Sequence, residues 1–179
     1  ASVARGGMLG HVLLFRGDRA GAIQQHREAI DLDPHAYPPH AGLGWAYLDN
    51  GCFTEAEDEF RAARALSGSP AILGGAIGYC LALTGRVAEA RAVLGELTAL
   101  AAGGYVSPLE FARIHVALGE HEAALDRLES AAEQRVPALV WLGVDPLFGR
   151  LREAPRFCRL VEAIGAARNS HAAPPRMPG

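Results

Sequence analysis

Small residues recur along the chain at one fixed step, the separation between Gly10 and Gly44. Three columns show the step: Gly10, Gly44 and Gly78; Gly17, Gly51, Gly85 and Gly119; Ala22, Ala56, Ala90 and Ala124. Four units of this length, 3–36, 37–70, 71–104 and 105–138, follow one another without an insertion. Because self-similarity at a step of about 20–50 residues is typical of repeat architectures, the pattern predicts a solenoid.

Each unit consists of an apolar segment and a charged, amphipathic segment, separated by a glycine. Apolar residues in the charged segments recur every three or four residues, the spacing of one helix face. The separating glycine supports the left-handed backbone that often ends a helix. The chain is therefore predicted to be all-α, with helix pairs near 3–16 and 20–32, 37–50 and 54–66, 71–84 and 87–100, and 107–118 and 121–134.

The fixed step stops after residue 138. The following stretch is mostly apolar and carries prolines at 137, 146 and 155. Pro155 is expected to open a last helix whose apolar stripe includes Phe157, Val161 and Ile164. A solenoid needs a cover for its last open face, so 139–168 is predicted to be a capping segment and 169–179 a flexible tail.

Composition removes several classes of function. The net charge of −3 in 179 residues argues against a nucleic-acid surface. Three cysteines in a chain of this length do not form a disulfide framework, which favours the cytoplasm. No apolar run is long enough to span a membrane, and the first residues lack the pattern of a secretory leader, so we expect neither. The start at Ala1, without an initiator Met, suggests a piece of a longer protein.

The sequence shows no set of residues with the spacing of a catalytic or metal site. The seven histidines include no His-Glu-x-x-His pattern, and no cysteine pair has zinc-ligand spacing. Gly74-Gly75 is not followed by the Lys-Ser or Lys-Thr of a phosphate-binding loop, and Cys80 lies in an apolar helix. We therefore expect no enzyme activity, no cofactor and no metal.

The second repeat, 37–70, carries a known pattern at seven positions: Leu43, Gly44, Tyr47, Gly51, Ala56, Phe60 and Ala63. It resembles the tetratricopeptide repeat, a helix pair with the same step as the units of this chain. The resemblance implies a right-handed superhelix, an α-α solenoid, that binds a protein or peptide segment in a concave groove. The tryptophan usual at the fourth position is absent from all four units.

In this family the groove is lined by the first helix of each pair. The matching face here holds position nine of each unit and its neighbours: His11, Phe15, Trp45, Leu48, Asp49, Tyr79, Leu83 and Arg113. The resemblance implies that these residues bind a protein segment, in cis or in trans. The alternative is that Trp45 and Tyr79 are simply buried within the domain. A groove for the acidic C-termini of chaperones is a poor fit, because the chain has no Lys.

A motif near the C-terminus carries a second resemblance: Asp145-Pro146-x-Phe148 followed by Pro155-Arg156-Phe157. It is similar to the end of repeat tails on bacterial signalling proteins, namely winged-helix regulators, nucleotide cyclases and Ser/Thr kinases. The sequence thus predicts a non-catalytic scaffold module of a bacterial signalling protein. The alternative is a regulatory or oligomerisation domain, including a homodimer, that acts on a fused enzymatic or DNA-binding domain.

Overall fold

The computed structural model describes residue 13 and residues 17–172 of the chain, and their regular elements are all helical. The α-helices are α1 (Arg19–Leu32), α2 (Tyr37–Asp49), α3 (Phe53–Ser67), α4 (Gly74–Leu83), α5 (Val87–Gly103), α6 (Pro108–Ala117), α7 (His121–Glu133) and α8 (Pro155–Ala172). Two 3₁₀ helices, Pro137–Trp141 and Pro146–Leu151, lie between α7 and α8. The prediction of an all-α chain of helical hairpins is confirmed. The first predicted helix, 3–16, lies outside the described residues except for Leu13.

The fixed step of the sequence is reproduced by the structure at the start of every second helix. The helices α1, α3, α5 and α7 begin at Arg19, Phe53, Val87 and His121. Each is preceded by a glycine in the left-handed region, Gly17, Gly51, Gly85 or Gly119, with φ between 76° and 81°. A side chain at these positions would meet the steric penalty of that region, which explains why the column is glycine.

The described residues up to Val106 form one compact unit, in which each helix packs on the next from α1 to α5. Phe60, Ile77 and Leu81 are fully buried in its core. A Cβ atom placed on Gly44 would lie 2.6 Å from the Phe60 ring. Glycine at this position therefore allows the backbone of α2 to approach α3 closely.

The described residues from Ser107 onward form a second compact unit. In it α6 packs on α7, the second 3₁₀ helix packs on α6, and α8 packs on α7 and on the first 3₁₀ helix. Phe148 and Leu151 of the second 3₁₀ helix are buried. The last helix begins at Pro155, as the sequence predicts, because proline is well suited to the first helical position.

One salt-bridge cluster joins α8 to α7. The Arg156 guanidinium lies 2.7 Å from Glu122, 2.8 Å from Asp126 and 2.7 Å from Glu129. These three carboxylates follow one another at helical spacing along α7, so a single guanidinium contacts all of them. Arg156 thereby fixes the start of α8 on the α7 surface.

The third predicted pair differs from the structure at its start. The expected helix 71–84 begins only at Gly74, because the chain turns between Gly68 and Leu73. Leu73 itself has φ +61°, a left-handed conformation that is costly for a residue with a side chain. Its side chain is only 7% exposed, and we attribute the tolerance of this conformation to that burial.

Candidate binding face

The α2 helix carries three of the predicted groove residues within a single turn. Trp45, Leu48 and Asp49 lie three and four residues apart, so they follow one stripe of the helix. Trp45 is half-buried, and its ring meets the Phe60 ring edge to face with centroids 4.8 Å apart. The ring of Trp45 is thus held by a core side chain but is not fully covered.

The other two residues of the α2 stripe have different surroundings. Leu48 is only 7% exposed, so it contributes to packing rather than to an open surface. The Asp49 carboxylate accepts a hydrogen bond from Nε of Arg19, at the start of α1, and stays partly exposed. Trp45 is therefore the apolar residue of this stripe that keeps accessible surface.

Two further predicted residues lie one turn apart on α4. Tyr79 and Leu83 are both half-buried, whereas the intervening Cys80 and Leu81 are fully buried. Burial and the charge of Glu57 raise the pKa of the Cys80 thiol to about 12, so the thiol stays protonated. Cys80 is thus a packing residue, and the accessible part of α4 includes Tyr79 and Leu83.

Arg113 lies on α6, in the second unit, and forms an ion pair there. Its guanidinium is 2.6 Å from the Glu110 carboxylate, and the two side chains are only 12% and 13% exposed. Its charge also acts on the carboxyl group of Asp145. Burial raises the pKa of Asp145, and the hydrogen bond from the Leu147 N–H and the charges of Arg113 and Arg152 partly oppose this rise. A carboxylate from a partner would have to replace Glu110. His11 and Phe15 lie outside the described residues.

Sequence reasoning missed the charged contacts around these helices. Glu57 is 3% exposed, and its carboxylate lies 2.8 Å from the guanidinium of Arg61 and 2.9 Å from that of Arg86. Arg27 of α1 donates a hydrogen bond of 2.7 Å to the Tyr47 hydroxyl of α2. Only the Glu57–Arg61 pair has the i,i+4 spacing that a helix makes visible in the sequence. The other two pairs join residues that are distant in the sequence, so no spacing signals them.

The described residues contain two further concavities. A shallow cleft of about 800 Å³ lies between α3 and α5 and is lined by Arg61, Arg64 and Glu96 together with small and apolar residues. A smaller apolar pocket of about 130 Å³ lies between the first 3₁₀ helix and α8.

Among all the described residues, no three His, Cys, Asp or Glu side chains are grouped as metal ligands would be. Nor is any described helix long and apolar enough to cross a membrane.

Comparison with known families agrees with the helical hairpins. A family model described as tetratricopeptide repeat matches residues 8–70 and 42–105, which together cover more than half of the chain. A second model with the same description matches residues 112–130. No curated protein matches the chain.

Proposed function

The chain belongs to the tetratricopeptide repeat family, and on that premise we propose that it is a non-catalytic scaffold that binds a segment of a partner protein. Repeats of this family typically bind proteins or peptides, and each hairpin presents the accessible side of its first helix. The proposed binding face is therefore the accessible side of α2 and α4, with Trp45 and Tyr79 at equivalent positions one repeat apart.

The observation that carries this proposal is the position of the Trp45 ring. Its edge-to-face contact with Phe60 limits its freedom, while its partial exposure leaves apolar surface for a ligand. An aromatic side chain that is held before binding loses little conformational entropy on binding, and such residues often dominate interface energies. Trp45 is thus the proposed anchor of the binding face.

The remaining groove residues have graded roles in this proposal. Tyr79 and Leu83 extend the apolar surface along α4. The buried Leu48 contributes to packing, and Asp49 adds a partly exposed carboxylate. His11, Phe15 and Arg113 are further proposed contacts with a partner protein. For Arg113 the contact is an exchange in which a partner's carboxylate takes the place of Glu110.

We also propose the setting in which the scaffold acts. The C-terminal motif from Asp145 to Phe157 supports the proposal that the chain is a module of a bacterial signalling protein in the cytoplasm. The bound segment then belongs either to another protein or to another part of the same parent chain. Both arrangements use the same face.

Hydrogen–deuterium exchange on the complex tests the proposed face. Short random peptides displayed on phage are selected against the full chain, and the enriched peptides are added to it in solution. The proposal expects slower exchange in α2 and α4, with less change in α3 and α5, because the second helices lie behind the binding face. A selection in which no enriched peptide protects α2 and α4, including one whose peptides protect only α3 and α5, would contradict it.

A further inference from the structure

Exposed apolar side chains cluster on the first 3₁₀ helix and the turn after it. Of the eight large hydrophobic residues that are exposed in the described part of the chain, three fall within five residues. They are Val140, Trp141 and Val144, with 40%, 52% and 67% of their surface exposed. Contiguous exposed apolar surface is typical of an interaction site, whereas scattered single residues are not.

This cluster borders the small apolar pocket of the second unit. One wall of the pocket comes from the first 3₁₀ helix and the turn after it, with Leu139, Leu142 and Val144, and the other from α8, with Val161, Ile164 and Gly165. Its volume is about 130 Å³. Since a cavity of about 150 Å³ with apolar walls can hold a molecule of benzene, this pocket suits one Leu, Ile or Met side chain.

A positive charge lies beside the pocket. Arg152 is exposed, and its guanidinium donates a hydrogen bond of 3.3 Å to the carbonyl oxygen of Val144. The nearby Arg156 differs from it, because its guanidinium contacts three carboxylates of α7. An acidic group on a ligand would find its complement at Arg152, next to the apolar pocket.

The size of the patch favours a short segment over a second copy of the chain. The exposed parts of Val140, Trp141 and Val144 amount to about 300 Å², whereas a stable interface buries about 800 Å² on each partner. A single inserted side chain with a charged neighbour needs only an area of the smaller size.

We propose that this surface binds a short segment of a partner protein through an aliphatic anchor followed or preceded by an acidic residue. The anchor, Leu, Ile or Met, enters the pocket between the first 3₁₀ helix and α8, and the Asp or Glu beside it pairs with Arg152. The site lies in the second unit and does not depend on the proposed face of α2 and α4.

Gly165 provides a variant that closes the pocket without disturbing the fold. A Cβ atom at Gly165 meets nothing within 4 Å, and leucine is a better helix former than glycine. Because Gly165 forms part of the pocket wall, Gly165→Leu is expected to fill the pocket with an aliphatic side chain of the protein itself. Gly95→Leu is the matched control, because Gly95 also faces open space within a helix, α5 of the first unit.

Peptides selected from a random phage-displayed library against the full chain are the probe, and their affinities are measured by fluorescence anisotropy. The proposal expects a group of peptides with Leu, Ile or Met next to Asp or Glu. For this group, Gly165→Leu weakens binding by about tenfold or more, the loss expected when an aliphatic side chain can no longer be buried. Arg152→Gln weakens binding several-fold, and Gly95→Leu leaves it unchanged.

Four results would overturn the proposal. The first is that no selected peptide loses affinity in Gly165→Leu. The second is that the sensitive peptides lack an acidic residue and bind Arg152→Gln as well as the wild type. The third is a dimer in sedimentation that Gly165→Leu dissociates, which would identify a second copy as the occupant. The fourth is a tenfold gain of affinity on deletion of 173–179, which would identify the chain's own tail.

Discussion

The indole ring of Trp45 meets the phenyl ring of Phe60 edge to face, with ring centroids 4.8 Å apart and planes inclined by 65°. Phe60 is fully buried and belongs to the contact between α2 and α3, whereas Trp45 is partly exposed. The proposed anchor of the binding face therefore packs against the core of its own hairpin. Substitutions around this pair separate packing from binding.

Gly44 is expected to be intolerant of even the smallest side chain. The Cβ of Gly44→Ala would lie 2.6 Å from two atoms of the buried Phe60 ring. We expect a loss of about 1–3 kcal/mol in the free energy of unfolding, typical of an overpacked core. Urea unfolding followed by circular dichroism measures it.

Gly95→Ala is the control for this substitution. It places the same methyl group in open space on α5, where alanine favours the helix by up to about 1 kcal/mol. Equal effects of the two substitutions on unfolding would show that Phe60 does not restrict position 44.

The buried carboxylate of Glu57 is expected to matter more for stability than an exposed one. Glu57→Gln keeps the shape of the side chain but removes the charge that Arg61 and Arg86 share. The cost is expected to be about 1–3 kcal/mol, the range for a disrupted buried polar contact. Glu96→Gln is the control, because that carboxylate is 60% exposed and lies 3.8 Å from Arg64. Its effect is expected to stay below about 1 kcal/mol. Similar losses in chemical denaturation for both variants would contradict this prediction.

The contribution of Arg156 to stability is expected to decrease in acid. Hydrogen bonding to Arg156 holds the pKa of Glu129 below its usual value of 4.5. A carboxyl group with a lowered pKa in the folded state stabilises the protein above its unfolded pKa, and this stabilisation is lost as pH falls through the folded pKa. The difference in melting temperature between wild type and Arg156→Ala should therefore be full at pH 7 and smaller at pH 3. An equal difference at both pH values would mean that Arg156 acts through packing alone.

Cys80 and Cys158 are expected to differ in their rates of reaction with a thiol reagent. Cys158 is exposed, whereas Cys80 is fully buried with a pKa of about 12. Because the thiolate is the reacting form, Cys80 should remain unlabelled at pH 8 until the protein unfolds, while Cys158 reacts at once. Mass spectrometry of the labelled peptides gives both rates. Labelling of native Cys80 at a rate close to that of Cys158 would show that α4 opens readily.

The helical hairpins could be predicted from the sequence because their requirements are local. A left-handed glycine before each second helix and a fully buried alanine near its start, such as Ala56 or Ala90, are needed wherever two helices turn and approach closely. These requirements recur at one step, so they are visible without coordinates. The left-handed Leu73 was not predictable in this way, because a leucine in that conformation depends on its three-dimensional packing.

The candidate site could be predicted only in outline. A helix that is apolar on all sides, such as α4, does not show from its sequence which side is covered. The structure distinguishes the buried Leu48 from the half-exposed Trp45 on the same stripe. The exposed cluster around Trp141 was also missed, because residues 137–151 form two short 3₁₀ helices without a helical repeat of apolar positions. Only Pro137 and Pro146 mark where these helices begin.

The central claim is that a partner segment binds to the accessible side of α2, with Trp45 as its anchor. Its most direct test measures two quantities on Trp45→Ala: the affinity for a peptide that protects α2 and α4, and the melting temperature relative to Phe60→Ala. We expect the free energy of binding to become about 2 kcal/mol less favourable, the scale of an interface hot spot. The melting temperature is expected to fall less than in Phe60→Ala, because Trp45 is partly exposed whereas Phe60 is fully buried. An unchanged affinity, together with a melting temperature as low as that of Phe60→Ala, would show that Trp45 is a packing residue and would contradict the claim.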